Sequence, residues 1–203
     1  MSGGEEVLAG PAPVGWMGRT NRSERSVIRA AQRGSPDAVE ALVRHYWPEA
    51  VRVAVGVLAD EPAAEDVAQE ALLAAVRSLD RFNRRRQFRP WLHRIVVNRA
   101  LDYQRARARR SEVELSSEAP SSAHPDLPPG ISPELISALK KLALEERAIV
   151  VLRHVAGLTS TEIAGILEQP SATVRSTLRR SLGRLQVELG GDQTTEGIDS
   201  HER

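Results

Sequence analysis

Arginine dominates the chemistry that this chain can offer. Of its 28 basic residues 26 are arginine, and the formal net charge of +1 conceals how unevenly they are placed. Twelve arginines and two aspartates lie between Arg77 and Arg110, whereas the segment from Asp60 to Glu70 holds five acids and no basic residue. A solvated, salt-bridged surface would intersperse the two signs. The segregation indicates two different partners, with a polyanion for the basic stretch; a merely soluble basic surface is the alternative.

Residues suited to catalysis or metal binding form no recognisable pattern. His45, His93 and His154 are far apart without ligand spacing, and no phosphate-binding glycine loop is present. The chain has no cysteine, which excludes disulfides and thiolate metal sites. We therefore expect no enzymatic activity, no metal and no cofactor; an all-helical enzyme that uses these histidines is the alternative. Without a signal peptide or a long apolar run, we expect a cytoplasmic protein with no membrane insertion.

The spacing of apolar residues predicts an all-α chain, because three-and-four spacing recurs and no strand pattern appears. We expect two small helical domains, at 23–110 and 133–189. Residues 1–22 and 190–203 are expected to be disordered tails. The segment 111–132 is rich in Ser and Pro and predicts an acidic flexible linker. Its acids are Glu112, Glu114, Glu118 and Asp126.

In the first domain, Ser35 followed by Pro36 is typical of a helix start, and Pro48 should bend the helix that follows. Two further helices are predicted, from about 62 to 79 and from about 90 to 109. A short basic loop with two aromatic residues connects them.

In the second domain four helices are predicted, at about 133–144, 145–156, 159–168 and 171–189. Gly157 permits a tight turn before Thr159-Ser-Thr-Glu162, which has the composition of a capping box. The last two helices resemble a helix-turn-helix that presents an arginine-rich face to a DNA major groove. A small helical bundle with a solvated arginine face is the alternative.

Three segments of the first domain carry a recognisable pattern: Ala64-Glu-Asp-Val-Ala-Gln-Glu70, Arg81-Phe82, and the continuous stretch from Phe88 to Arg105. Together they resemble region 2 of the extracytoplasmic-function sigma factors, within the sigma-70 family. Residues 135–189 are similar to region 4 of the same factors. The resemblance implies a sigma factor that binds core RNA polymerase, recognises -35 and -10 promoter elements and helps to open the DNA, in a stress or envelope response. It also implies an anti-sigma factor as a partner.

Three sets of contact residues follow from this resemblance. The helix with Asp66, Gln69 and Glu70 would dock on the clamp helices of the largest polymerase subunit, supported by Val67 and Leu73, and region 4 would bind the flap region. The -10 element would contact Asn83, Arg84, Arg85, Arg86, Phe88, Trp91, Asn98, Asp102 and Arg105. The -35 element would contact Arg175, Ser176, Arg179 and Arg180.

Some of these residues have simpler roles as alternatives. Phe82 and Trp91 are more often core residues, and Asn98 and Asp102 can serve structural hydrogen bonds. Asp66 and Glu70 can be acids that the helix dipole favours. Thr177 stands where the family pattern has arginine, so we expect a distinct -35 sequence.

Two alternatives concern the chain as a whole. A two-domain helix-turn-helix regulator would also bind DNA, but it would do so without polymerase. The acidic linker either enters the polymerase channel that later carries nascent RNA, or is only a tether between two DNA-binding domains.

Overall fold

A computed structural model describes residues 21–113 and 131–190 of the chain. These residues form helices and connecting turns, with no strand in either range, so the all-α prediction is confirmed. No helix within the two ranges is long and apolar enough to cross a membrane. The α-helices are α1 (Asn21–Gln32), α2 (Pro36–Leu58), α3 (Glu61–Arg77), α4 (Phe88–Val113), α5 (Pro133–Lys140), α6 (Leu144–His154), α7 (Ser160–Leu167) and α8 (Ser171–Glu188).

Helix α2 lies at the centre of the fold and packs against α1, α3, α4 and α6. Its start follows the prediction, because the Ser35 hydroxyl accepts a hydrogen bond from the Ala38 amide (3.4 Å) and Pro36 occupies the first turn. The helix continues through Pro48. It ends at Leu58, where Ala59 adopts a left-handed conformation (φ 53°) and is buried.

Helices α3 and α4 carry the predicted acidic and basic stretches. Asp60 caps α3, which ends at Arg77, two residues before the predicted end, and a 3-10 turn follows at Leu79–Arg81. Helix α4 begins slightly earlier than predicted and runs to Val113, so the first residues of the predicted linker are helical. Residues 114–130 of that linker, with Glu114, Glu118 and Asp126, lie outside the described residues.

Helices α5 to α8 follow the predicted order, with ends that differ by a few residues. Gly157 has φ 69°, which glycine adopts without steric cost, and the turn leads into α7. The predicted capping box is confirmed: Thr159 Oγ1 accepts from the Glu162 amide (3.3 Å), and the Thr159 amide donates to Glu162 Oε2 (2.8 Å). A short turn through Glu168, at φ 55°, leads into α8. Together α7 and α8 form the expected helix-turn-helix.

The two groups of helices are in contact with each other. Helix α6 packs along α2, and residues buried in both groups, among them Val55 and Val151, belong to one hydrophobic cluster. A smaller cluster, which includes Leu139, Leu142 and Leu185, lies between α5, α6 and α8. The packing therefore joins the predicted first and second halves of the chain, while the division at the linker stays a prediction.

Candidate nucleic-acid and protein interfaces

The acidic face of α3 is open to solvent. Asp66, Gln69 and Glu70 are exposed, and Leu73 beside them is 49% exposed. No basic side chain in the described part of the chain forms a salt bridge with Asp66 or Glu70. Val67, predicted as part of this contact, is only 2% exposed and packs in the core. Its side chain points into the bundle, so Val67 can support the acidic face only from beneath, and the contact of this face with a partner stays a prediction.

The loop between α3 and α4 presents three consecutive arginines, Arg84, Arg85 and Arg86, which are all exposed. Asn83 determines the shape of this loop. Its side-chain oxygen accepts from the Arg85 amide (3.0 Å), and its backbone carbonyl accepts from the Arg86 amide (2.9 Å). Such local bonds are typical of Asn in turns. Asn83 therefore holds the arginine loop, a structural role that the sequence analysis did not assign to it.

A cluster of aromatic rings lies beneath the arginine loop. Phe82 and Phe88 are each 5% exposed, with ring centroids 5.3 Å apart, and Tyr46 lies 5.0 Å from Phe88. The predicted DNA contact by Phe88 is wrong for this conformation, because a ring so deeply buried offers no face to a base. Trp91 is half-buried and packs against both phenylalanines, with its ring centroid 4.9 Å from that of Phe82 and 5.2 Å from that of Phe88. It is a core ring with an exposed part.

Two polar residues that the sequence analysis missed hold this region in place. Gln32 Nε2 donates to the carbonyls of Leu79 (2.8 Å) and Phe82 (3.0 Å), which fixes the entry to the arginine loop. Glu49 Oε1 accepts from Arg89 Nε (2.8 Å) and lies 3.0 Å from Nε2 of His93, which is fully buried. The signal for Glu49 in the sequence was an acidic residue directly after Pro48, in the middle of a helix whose neighbouring positions are largely apolar.

The pKa of the Glu49 carboxyl reflects this setting. Burial alone raises the pKa, but the hydrogen bonds and charges of His93 and Arg89 outweigh it, so the pKa lies below its ordinary value. Glu49 is therefore charged at neutral pH. The predicted alternative of a metal site at the histidines has no support within the described residues, where no three His, Asp or Glu side chains are grouped for a metal.

The exposed face of α4 carries Asn98, Asp102 and Arg105. Asn98 and Asp102 lie one helical turn apart, and Arg105 Nη1 lies 3.7 Å from Asp102 Oδ1. Opposite them is the turn between α7 and α8, so that the two surfaces enclose a cleft of about 340 Å³. The structure thus brings these three predicted residues together and places them beside Glu168 and Gln169.

Helix α8 exposes Arg175, Ser176, Arg179 and Arg180 on one face, as the sequence analysis expected. No acid in the described residues forms a salt bridge with these arginines. Arg184, one turn further on, instead pairs with Glu146 of α6 (2.9 Å). Thr177 is 8% exposed and lies on the inner side of the helix. It therefore cannot replace an arginine at the DNA surface.

Comparisons with known proteins agree with this geometry. The family models for sigma-70 region 2 and sigma-70 region 4 match residues 42–110 and 132–185. The chain is 30% identical to the RNA polymerase sigma-H factor of Pseudomonas aeruginosa, over 80% of this chain and 91% of that one. It is also 30% identical to the ECF RNA polymerase sigma factor SigM of Mycobacterium tuberculosis, over 87% and 90% of the two chains. A solved structure of CnrH in complex with the cytosolic domain of CnrY matches with a TM-score of 0.62 at 27% identity, covering 84% of this chain and 99% of CnrH.

An all-helical fold with region 2 and region 4 at these positions defines a sigma-70 type transcription factor. The chain belongs to the extracytoplasmic-function RNA polymerase sigma factors. Its function is promoter-specific transcription initiation with RNA polymerase and promoter DNA as partners.

Proposed function

We propose that this sigma factor divides its work among three surfaces: the acidic face of α3, the arginine loop with the exposed face of α4, and the arginine face of α8. One observation carries the proposal. The acids of the first surface, and the loop and α8 arginines of the other two, are exposed, and none of them forms a salt bridge with another described residue. Charges of one sign that form no salt bridge and are grouped on one surface suit recognition of a charged partner better than they suit stability.

The acidic face of α3 binds core polymerase at the clamp helices of its largest subunit. Asp66 and Glu70 provide charge, Gln69 can donate and accept hydrogen bonds, and Leu73 adds apolar area that is otherwise exposed to water. An exposed leucine bordered by unpaired acids is typical of a protein contact with a basic rim. The flap region of polymerase is the corresponding partner of region 4.

The arginine loop and α4 hold the non-template strand of the -10 element. Arg84, Arg85 and Arg86 neutralise phosphates, as cationic loops do along single strands. Asn98 and Asp102 offer amide and carboxylate groups on the face of α4 that follows the loop. The exposed part of Trp91 is the aromatic surface left for stacking, since Phe82 and Phe88 are used in the core.

Helix α8 recognises the -35 element in the major groove. Arg175, Arg179 and Arg180 can read guanine edges through paired hydrogen bonds or hold phosphates, and Ser176 lies between them. Thr177 stands where the family pattern has arginine, and its side chain is turned inward. This position therefore offers no contact to DNA. The -35 sequence that this factor recognises differs for that reason from the sequence that relatives with the arginine recognise.

The factor performs no bond chemistry, acts in the cytoplasm in a stress or envelope response, and consists of domains at 23–110 and 133–189. CnrH, whose structure resembles this chain, holds the cytosolic domain of CnrY. This supports a protein partner of the anti-sigma type for the present factor.

Charge reversal on α3 tests the central surface. The double variant Asp66→Lys/Glu70→Lys should weaken binding to purified core polymerase at least tenfold, because attraction becomes repulsion at the docking face. The control Asp37→Lys/Asp80→Lys changes the net charge equally at two exposed acids away from this face. Affinity is measured by fluorescence titration, with helicity checked by far-UV circular dichroism.

Two outcomes would remove the assignment. One is a folded α3 variant that binds polymerase as tightly as the parent does. The other is a control variant that loses as much affinity as the α3 variant, since this would show that net charge rather than the α3 face determines binding.

A further inference from the structure

Helix α1 carries a row of arginines that lies outside the three proposed surfaces. Arg25 and Arg29 lie in the helix and Arg33 in the turn that follows it, at intervals of four residues, and all three are exposed. Residues four apart lie on one face of a helix. These three residues are the α1 stripe. They precede residue 42, where the match to sigma-70 region 2 begins, so that match assigns no role to them.

The charges of the α1 stripe are not used inside the protein. None of its arginines forms a salt bridge within residues 21–113 and 131–190. Glu24, the one acid of α1, points elsewhere, because its carboxylate accepts a hydrogen bond from the Tyr46 hydroxyl. In α2, by contrast, Arg44 pairs with Glu40 one turn before it, an arrangement that stabilises a helix. The stripe therefore presents its charge to solvent.

Helix stability does not explain the α1 stripe. Like charges one helical turn apart repel each other and destabilise a helix. The helix dipole favours cations in the last turn, which suits Arg29, but this effect falls off within one turn and does not reach Arg25. Three exposed cations in a row instead suit the binding of an anionic partner.

The contacts of Gln32 show which side of α1 the stripe occupies. Gln32 Nε2 donates to the carbonyls of Leu79 (2.8 Å) and Phe82 (3.0 Å), at the entry to the arginine loop. A helix turns by about 100° per residue, so Arg25 and Arg29 lie only roughly 20° and 60° around α1 from Gln32. The stripe therefore faces the side of α1 on which the loop begins.

Helix α1 also reaches the other end of the arginine loop. Tyr46, whose hydroxyl donates to Glu24, has its ring centroid 5.0 Å from that of Phe88, where α4 begins just after the loop. Glu24 and Gln32 are eight residues apart, which corresponds to about 12 Å along the helix. Helix α1 therefore runs beside the base of the loop. The α1 stripe and the loop arginines 84–86 form neighbouring parts of one basic surface.

The chemistry of the α1 stripe fits the backbone of a nucleic acid. Guanidinium groups donate paired hydrogen bonds to phosphate oxygens. The stripe extends about 12 Å from Arg25 to Arg33. Phosphates of one DNA strand recur roughly every 3.4 Å along a duplex and lie further apart where the strand is unstacked, so the stripe spans about three of them. Ser26, exposed between the arginines, is engaged with the Ser23 carbonyl (2.7 Å).

We propose that the α1 stripe binds phosphates of the same non-template strand that the arginine loop holds, so that α1 and the loop grip this strand together over several nucleotides. This inference rests on the proposed role of the arginine loop at the -10 element. Phosphate contacts carry no sequence information. The stripe therefore adds affinity and salt dependence rather than specificity, and it retains the strand once the duplex has opened.

Photocrosslinking in the holoenzyme locates the strand directly. The chain has no cysteine, so Arg29→Cys or Arg85→Cys, labelled with a benzophenone before assembly with core polymerase, carries the only probe on the factor. The DNA is a promoter fragment found by runoff transcription, with the strands of the -10 element kept apart by mismatches. Both probes should crosslink to neighbouring nucleotides of the non-template strand. Arg44→Cys, roughly 160° around α2 from Tyr46, should give no crosslink to DNA.

Charge variants measure what the stripe contributes. Arg25→Gln/Arg29→Gln/Arg33→Gln should weaken holoenzyme binding to the same fragment at least tenfold. It should also lower the slope of log affinity against log salt concentration by about 2, the value for three lost contacts to a single strand. Arg25→Lys/Arg29→Lys/Arg33→Lys keeps the charge and should keep the slope. A lysine variant that loses as much as the glutamine variant would overturn phosphate binding by the stripe.

A matched control removes the same charge elsewhere. Arg44→Gln/Lys140→Gln/Arg153→Gln changes exposed residues of α2, α5 and α6 and should leave affinity and slope unchanged. A slope that the control lowers equally would show that net charge, and not the α1 stripe, determines binding. Circular dichroism confirms helicity for every variant, and titration with core polymerase confirms that each holoenzyme forms.

The results separate this inference from the proposed function. A DNA crosslink from the Arg85 probe but none from the Arg29 probe, or an unchanged slope in the glutamine variant, would overturn the α1 contact and leave the arginine loop in place. A crosslink from the Arg29 probe to a polymerase subunit instead of DNA would overturn it as well, in favour of a protein partner. No DNA crosslink from the Arg85 probe would contradict the proposed -10 surface itself.

Discussion

The two basic surfaces of this sigma factor are built in different ways. The arginine loop of region 2 depends on residues other than its arginines: the buried Phe82 and Phe88 rings below it, the exposed Asn83 within it, and the charged Glu49 that holds Arg89. The arginine face of α8 needs only a regular helix whose opposite side is packed. A loop has no intrinsic shape, so its charges must be positioned by other residues, whereas a helix positions its own. Changes beneath the surface should therefore damage region 2 more than changes on the surface of region 4.

The largest expected effect comes from removing an aromatic ring under the arginine loop. Phe88→Ala should lower the free energy of unfolding by about 3–5 kcal/mol, because it leaves a cavity among Tyr46, Phe82 and Trp91. Urea denaturation followed by circular dichroism measures the loss. Phe88→Leu, which keeps most of the volume, should cost clearly less. Equal stability of Phe88→Ala and the parent would show that the rings do not support the loop.

Neutralising Glu49 should have the next largest effect. Glu49→Gln should lower the free energy of unfolding by about 1–3 kcal/mol, because Arg89 and the buried His93 lose their charged acceptor. Glu40→Gln is the matched control on α2, since Glu40 pairs with Arg44 in an exposed position. It should change stability by no more than about 0.5 kcal/mol. Similar losses in the two variants would contradict a special role for Glu49.

Truncation of the α8 arginines should leave stability nearly unchanged and affect DNA binding alone. Changing Arg175 or Arg179 to Ala should weaken upstream DNA binding by about 1–3 kcal/mol if the arginine reads a base, and should mainly reduce salt dependence if it holds a phosphate. Footprinting of the holoenzyme at several salt concentrations distinguishes the two. Arg184→Ala, whose arginine pairs with Glu146, is the control. An unaltered upstream footprint in the Arg175 and Arg179 variants would remove α8 from -35 recognition.

The smallest effect concerns pH and the half-buried His45, whose ring lies edge-on to Tyr46. Burial lowers the pKa of His45, although Glu49 and Glu24 partly oppose this. The folded chain therefore binds a proton at His45 less readily than the unfolded chain does. The contribution of neutral His45 to stability is complete above pH 6.5, the ordinary pKa, and falls as the pH drops below it. Urea denaturation at about pH 7.5 and about pH 5.5 should show a loss of less than about 1 kcal/mol from this group. His45→Gln should reduce that loss; an identical pH dependence in the variant would contradict it.

Helix positions and exposed charges could be predicted from the sequence more accurately than the burial of single side chains. The helix order, the capping box at Thr159 and the exposed arginines of α8 follow from local rules, which a single chain displays openly. The partners of Glu49 and Gln32 depend on residues more than thirty positions away, and no local pattern reports such contacts. Phe88 and Val67 were assigned to interfaces because the family resemblance marks positions, whereas packing decides which of them reach the surface.

The central claim is that this chain works with RNA polymerase and selects promoters through two separated elements. Runoff transcription with purified core polymerase on fragmented cognate genomic DNA tests it directly. With the factor added, discrete transcripts should begin downstream of a shared pair of sequences near -35 and -10, and Asp66→Lys/Glu70→Lys should abolish them. Transcripts that do not depend on the factor, or sequence-specific DNA binding by the chain that is equally strong without polymerase, would contradict the account and favour an ordinary helix-turn-helix regulator.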